Sequence, residues 1–225
     1  MMRKSHLISK GEFERLSAGA RILEQDERGI KVLKLENGDI LKIFRVRNKL
    51  SAARFYSYAR RFCRNAERLQ RLNIPTVRIK ELFHLENSAE TAVLYAPLDG
   101  KTLRELLDTR ALTAGEAKGL GEFFAVLHHD GVHFRSLHPG NIVLDPQAAF
   151  GLIDIADMSI YPWPLWCGTR ARSFSHIYRY PEYIRKLGSG TWQHIEAAYF
   201  SKAALGSACE NFLRRHLKLI SVFTS

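Results

Sequence analysis

Cysteine is scarce. The chain has three, Cys63, Cys167 and Cys209, and no two form a Cys-x-x-Cys pair. That spacing excludes a disulfide-dense scaffold and a structural zinc site, and the three thiols are expected to be reduced. Long apolar runs are missing as well. Stretches such as Phe123-Phe124-Ala125-Val126-Leu127 fall far short of the roughly 18–20 residues that a membrane-spanning helix needs. No apolar stretch follows Arg3-Lys4, so no secretory signal is expected. Fifteen glycines and seven prolines are too few for a collagen-like or linker-dominated chain. Acidic side chains are nearly absent from residues 42–80, where Glu67 stands alone against 12 basic residues.

What remains describes a globular, cytoplasmic protein. With 225 residues, 46% of them hydrophobic, the chain can bury a sizeable core in one domain or two small lobes. The net charge of +11 is lopsided, +12 over residues 1–80 and −1 over residues 81–225. A basic block beside a neutral remainder points to an anionic partner: a phosphorylated ligand, nucleic acid or an anionic membrane surface.

Hydropathy alternates through residues 31–36 and 40–44. Asn37-Gly38 between the two runs predicts a hairpin, and residues 20–23 can join it through the turn at residues 26–29. Residues 50–72 predict an amphipathic helix. Phe55, Ala59, Phe62, Ala66 and Leu69 share one face, and Arg54, Arg60, Arg61, Arg64, Arg68 and Arg71 share the other. Pro75 ends it. Strands are expected over 76–83 and 91–95, with a lobe boundary at Ala96-Pro97. Helices follow over 102–107 and 114–129, then a hairpin over 142–153 and a loop over 154–172. Two or three helices, broken at Gly188-Ser189-Gly190 and Gly206, complete the chain. The expected architecture is α+β in two lobes, residues 1–96 and 97–225.

The chemistry concentrates in Phe134-Arg135-Ser136-Leu137-His138-Pro139-Gly140-Asn141 and the hairpin after it. Asn141 precedes the first strand and Asp154 follows the second, so pairing brings an amide oxygen and a carboxylate to one mouth. Such oxygens suit Mg²⁺, with phosphate and water completing its shell. A turn-capping Asn141 and a solvated Asp154 would leave the same pattern. Lys42 lies in a strand between Leu41 and Ile43, and Glu67 is the sole acid of the next helix, where Arg71 also offers it an i,i+4 partner.

In that order the four residues resemble the protein-kinase-like arrangement. Ser136-Leu137-His138-Pro139-Gly140-Asn141-Ile142-Val143-Leu144 is similar to the loop of sugar and small-molecule kinases, among them the aminoglycoside phosphotransferases. The resemblance is closest to the lipopolysaccharide core (heptose and Kdo) kinases with their toluene-tolerance-type relatives, and covers residues 20–160. It implies a two-lobed kinase-like fold whose N-lobe carries the arginine-rich helix. The implied activity is Mg²⁺- and ATP-dependent phosphoryl transfer to a core sugar hydroxyl. Lys42, oriented by Glu67, would hold ATP, Asn141 and Asp154 would bind Mg²⁺, and Arg135, Ser136 and His138 would stand at the catalytic loop. The implied acceptor is the lipopolysaccharide core or a phosphorylated glycolipid, met at the inner membrane through the arginine face.

Two departures stand out. Ser136 occupies the place of an aspartate whose general-base role is worth about 10²–10⁴-fold. The phosphate-covering turn offers only Gly29, beside Asp26 and Glu27. Both fit a pseudokinase that binds a partner without turnover, and Asp130, His133 and His138 are the titratable groups nearest the gap. The tract from Tyr161 to Arg172 holds Trp163, Trp166, Arg170 and Arg172, suited to sugar faces and phosphates. Alternatively the tryptophans fill the core. His128, His129, His133 and His138 are read as satisfied or exposed. A nucleic-acid-binding module is the remote alternative, against which the chain shows no zinc-finger or RNP-like motif.

Overall fold

Asn37 and Gly38 turn the chain between β3 (Gly29–Lys34) and β4 (Ile40–Phe44), where Gly38 takes φ +86°. The tight turn closes through Leu35 N–H to the Asp39 carbonyl at 2.8 Å and Gly38 N–H to the Leu35 carbonyl at 2.9 Å. It sets Val32 opposite Lys42 and Leu33 opposite Leu41, so Leu33 and Leu41 point together into the core. The structure, a computed structural model, describes residues 5–45 and 58–221. Within it the chain divides into two units, Met1–Leu98 and Asp99–Ser225.

In the first unit a six-stranded sheet is ordered β1-β5-β6-β4-β3-β2, adding β1 (His6–Ile8), β2 (Arg21–Asp26), β5 (Arg78–Leu85) and β6 (Thr91–Ala96) to the hairpin. β1 runs parallel to β5 and the remaining pairs are antiparallel, so the sheet is mixed. Neither β1 nor α1 (Lys10–Leu16) is prefigured by a long hydropathy pattern. A capping box between Ser9 and Glu12 starts α1 instead. Helix α2 (Tyr58–Arg71) buries Ala59, Phe62, Ala66 and Leu69, as the periodicity predicts. Cys63 and Asn65 are buried too, so its inner face is wider than expected. Residues 50–57 of the expected helix, with Arg54 and Phe55, lie outside the described residues.

The second unit is built on the short strand β7 (Lys101–Thr102) and on α3 (Leu103–Thr109), α4 (Ala114–His129), α5 (Cys167–Ile177), α6 (Pro181–Ala203) and α7 (Ser207–Ser221). Helix α4 spans the residues expected of it, and Thr113 and Glu116 form the capping box at its start. Gly121 brings it against α6, because a Cβ there would collide with the Ile195 carbonyl. Gly188, at φ +75°, kinks α6 at the Gly-Ser-Gly tract.

Three corrections concern this unit. Residues 154–172 are not a loop throughout: β11 (Met158–Ile160) pairs with β8 (Val132–Phe134), and α5 begins at Cys167. Three-residue strands paired across more than twenty residues leave no local trace. Cys167 and Cys209 are not free thiols but form a disulfide, their Cα atoms 5.7 Å apart. The packing of α5 against α7 brings them together across 42 residues, and Cys63 lies buried on α2. Trp163 and Trp166 are 54% and 76% exposed, so they do not fill the core; Trp192, 8% exposed, does.

With a mixed sheet, two small antiparallel sheets and seven α-helices among the described residues, the fold is α+β. No helix among the described residues is long and apolar enough to cross a membrane.

Candidate functional site

The site grows from the hairpin of β9 (Ile142–Leu144) and β10 (Phe150–Leu152), both buried, with Ile142 opposite Leu152. Pro139-Gly140-Asn141 forms a single 3-10 turn before β9. His138 caps that turn: its Nδ1 accepts the Gly140 N–H at 3.1 Å, which leaves the ring proton on Nε2. Three further bonds fix Asn141. Its N–H donates to the His138 carbonyl at 2.8 Å, its Nδ2 to the Ser136 carbonyl at 2.9 Å, and its carbonyl accepts the Ile153 N–H at 3.0 Å.

The last of these bonds holds Asp154 one residue beyond Asn141's partner, at the hairpin mouth. Asp154 is exposed and adopts φ +51°, a left-handed conformation that Asp tolerates better than most non-glycine residues. With Nδ2 committed to Ser136, the Asn141 oxygen is the end of the amide left for a cation. The donor set, one amide oxygen and one carboxylate, fits a hard divalent ion whose remaining ligands are phosphate and water. Among the described residues no group of three or more His, Cys, Asp or Glu side chains could hold a metal by itself.

No family model matches this chain, and no curated protein matches it. The functional reading therefore rests on residues and geometry.

Around the mouth, Ser136 is half-buried and Arg135 forms an ion pair with Asp157, its Nε donating at 2.9 Å. His138 is half-buried against Tyr180, ring centres 4.9 Å apart, and its pKa is lowered, first by burial and then by Arg104, against an opposing pull from Asp154. Two of the groups nearest the gap left by Ser136 are placed elsewhere. Asp130 caps the C-terminus of α4, its pKa raised by burial. His133 lies buried in β8 facing His176, ring centres 6.1 Å apart. His133 is thus neither exposed nor fully satisfied: among the described residues its Nε2 and both His176 nitrogens lack partners.

The tract from Tyr161 to Arg172 divides. Arg170, expected at the substrate, is 4% exposed and turned inward; Nε donates to the Leu165 carbonyl at 2.8 Å and Nη1 to the Tyr199 hydroxyl at 3.1 Å. The same hydroxyl meets His128 Nδ1 at 2.9 Å, so Arg170 organises a buried polar cluster. Arg172, two residues on, is exposed. Trp163 and Trp166 stand in solvent on a segment tied to the end of α4 by Tyr161 N–H to the Gly131 carbonyl (2.9 Å) and Leu165 N–H to the His128 carbonyl (2.8 Å). Tyr161 stacks on Trp163 with ring centres 6.0 Å apart.

In the first unit, Lys42 is half-buried with its ammonium 5.7 Å from the ring centres of both Phe44 and Phe62. Glu67 on α2 lies 3.8 Å from Arg71. Sequence reasoning missed Arg104, Tyr180 and Tyr183. Arg104 sits beside Gly140 and over the Tyr183 ring, because α3 and the start of α6 pack around the 3-10 turn. No linear spacing signals that convergence.

Proposed function

We propose that the chain is a kinase-like phosphotransferase that moves the terminal phosphoryl group of Mg·ATP to a sugar hydroxyl of the lipopolysaccharide core. The observation that carries the reading is the mouth of the β9–β10 hairpin. Asn141 is locked by bonds to Ser136, His138 and Ile153, and the Asn141–Ile153 bond holds Asp154 at the same mouth. When bound there, Mg²⁺ would draw charge from the phosphate oxygens, the dominant need of a loose phosphoryl-transfer transition state. Ser136 would face the acceptor hydroxyl and His138 would donate from Nε2. For the first unit, Lys42 is the residue assigned to nucleotide phosphates, with Glu67 as its orienting acid. The exposed Trp163, Trp166 and Arg172 suit a sugar acceptor, and the basic residues before residue 80 suit the anionic surface on which a glycolipid lies.

A second reading keeps the nucleotide and drops the turnover. Ser136 is the observation that favours it, since Arg135 is engaged by Asp157, Asp130 stands at the C-cap of α4 and His133 is buried against His176. Thermal unfolding with and without Mg·ATP tests what the readings share. A ligand at a hundred times its Kd adds about 2.7 kcal/mol, a rise of several degrees at this size. Wild type should show the rise; Asp154→Asn and Lys42→Ala should lose it. No rise at millimolar nucleotide would refute both. Ser136→Asp then separates them: a slow kinase should gain activity, a scaffold should stay inert.

A further inference from the structure

Beside the loop that ends in Asn141, an arginine and the Nδ1–Cε1 edge of an imidazole close on a residue that has no side chain. A Cβ built on Gly140 would stand 3.2 Å from Arg104 Nη2 and 3.1 Å from the His138 ring carbon Cε1. That is tighter than ordinary contact, so both groups take up space that any larger residue would claim. Gly140 is not in the left-handed region, and the need for glycine here is one of room.

Arg104 reaches this corner from α3 with its guanidinium carbon 5.5 Å from the centre of the Tyr183 ring. Stacking on an aromatic face fixes the plane of a guanidinium and leaves its N–H edges free to form a two-pronged contact. Among the described residues no carboxylate forms an ion pair with Arg104. Its neighbour in sequence, Glu105, is committed to the Thr102 cap, and Asp108 is paired with Lys186. The second donor is His138. Because Nδ1 accepts from Gly140 N–H, the proton is on Nε2, and the ring is braced by Tyr180. Nε2–H makes no hydrogen bond among the described residues.

We propose that Arg104 and His138 Nε2–H, which glycine at position 140 lets pack side by side, form an oxyanion subsite that takes a phosphate group. Planar Arg forks and imidazole N–H donors are the usual partners of tetrahedral oxyanions. A metal cation is disfavoured by the guanidinium itself. The subsite exists whether or not phosphate is transferred nearby. That its anion belongs to an acceptor, a sugar phosphate rather than the nucleotide, rests on the phosphotransferase reading.

The test is calorimetric titration of the full chain with inorganic phosphate at constant ionic strength, repeated with glucose 1-phosphate and with Mg·ATP. Wild type should bind phosphate saturably, and Arg104→Gln should weaken it about ten- to a hundredfold, the worth of a charged hydrogen-bond pair. Arg104→Lys should recover only part, having charge without the fork. Gly140→Ala should weaken binding by displacing both donors. Asp154→Asn should keep phosphate affinity while losing Mg·ATP, so this subsite and the nucleotide site fail separately. Tighter binding of glucose 1-phosphate than of phosphate, undiminished by saturating Mg·ATP, would assign the anion to an acceptor; mutual exclusion with Mg·ATP would overturn that assignment. Failure of wild type to bind phosphate saturably, or Arg104→Gln binding it as wild type does, would overturn the subsite. Arg104 is exposed, so its variants are expected to fold; matching melting temperatures without ligand would verify it.

Discussion

At the residue scale, the second unit stores imidazoles that its fold keeps uncharged. Burial, then Arg170 and His133, push the His128 pKa down to about 3. His133, His138 and His176 are lowered as well, in each case chiefly by burial. An unfolded histidine titrates near ~6.5. Below that pH the unfolded chain takes up protons that the folded chain refuses, so their stability contribution is complete above about pH 6.5 and drains away towards pH 3. Urea unfolding should therefore show a lower midpoint at pH 5.5 than at pH 7.5. His128→Phe should flatten that dependence by up to about 1.4 kcal/mol per pH unit, one proton's worth. Equal wild-type midpoints at the two pH values would contradict the burial of these rings. None of this could be read from the sequence, where His128 and Tyr199 stand 71 residues apart and Arg170 is expected at the substrate rather than in a buried cluster.

Elements differ in how much of themselves a sequence displays. Helix α4 does so over the whole of its expected range, and the β3–β4 hairpin through Asn37-Gly38. The mouth that holds Asn141 and Asp154 was legible for the same reason: two apolar runs and a short turn fix it locally. The β8–β11 pair, the disulfide and the place of Arg104 depend on contacts between distant segments, which local spacing does not encode. Two such contacts can be tested. Gly121→Ala should destabilise by about 1–3 kcal/mol, since overpacking forces α4 away from the Ile195 carbonyl of α6. An unchanged melting temperature would mean that the helices meet elsewhere. Closing a loop of some 42 residues, the Cys167–Cys209 bond should contribute about 2–4 kcal/mol. A reducing agent should then lower the melting temperature of wild type and leave that of Cys209→Ser untouched.

For the whole molecule, charge is the property that composition states most plainly, +11 with the excess in the first 80 residues. Such asymmetry predicts sedimentation with phosphatidylglycerol vesicles at low salt. Release is expected as added salt shortens the screening length to about 3 Å near 1 M. Binding that persists at high salt would point to apolar insertion instead. The three tryptophans add a feature of another kind. All three belong to the second unit, two standing in solvent and one sealed inside. The emission of the chain should be the sum of a red, iodide-quenchable component from Trp163 and Trp166 and a blue, shielded one from Trp192. Unfolding would register in the blue component, and a sugar or lipid covering the loop in the red. The protein thus carries two independent optical reporters without any label.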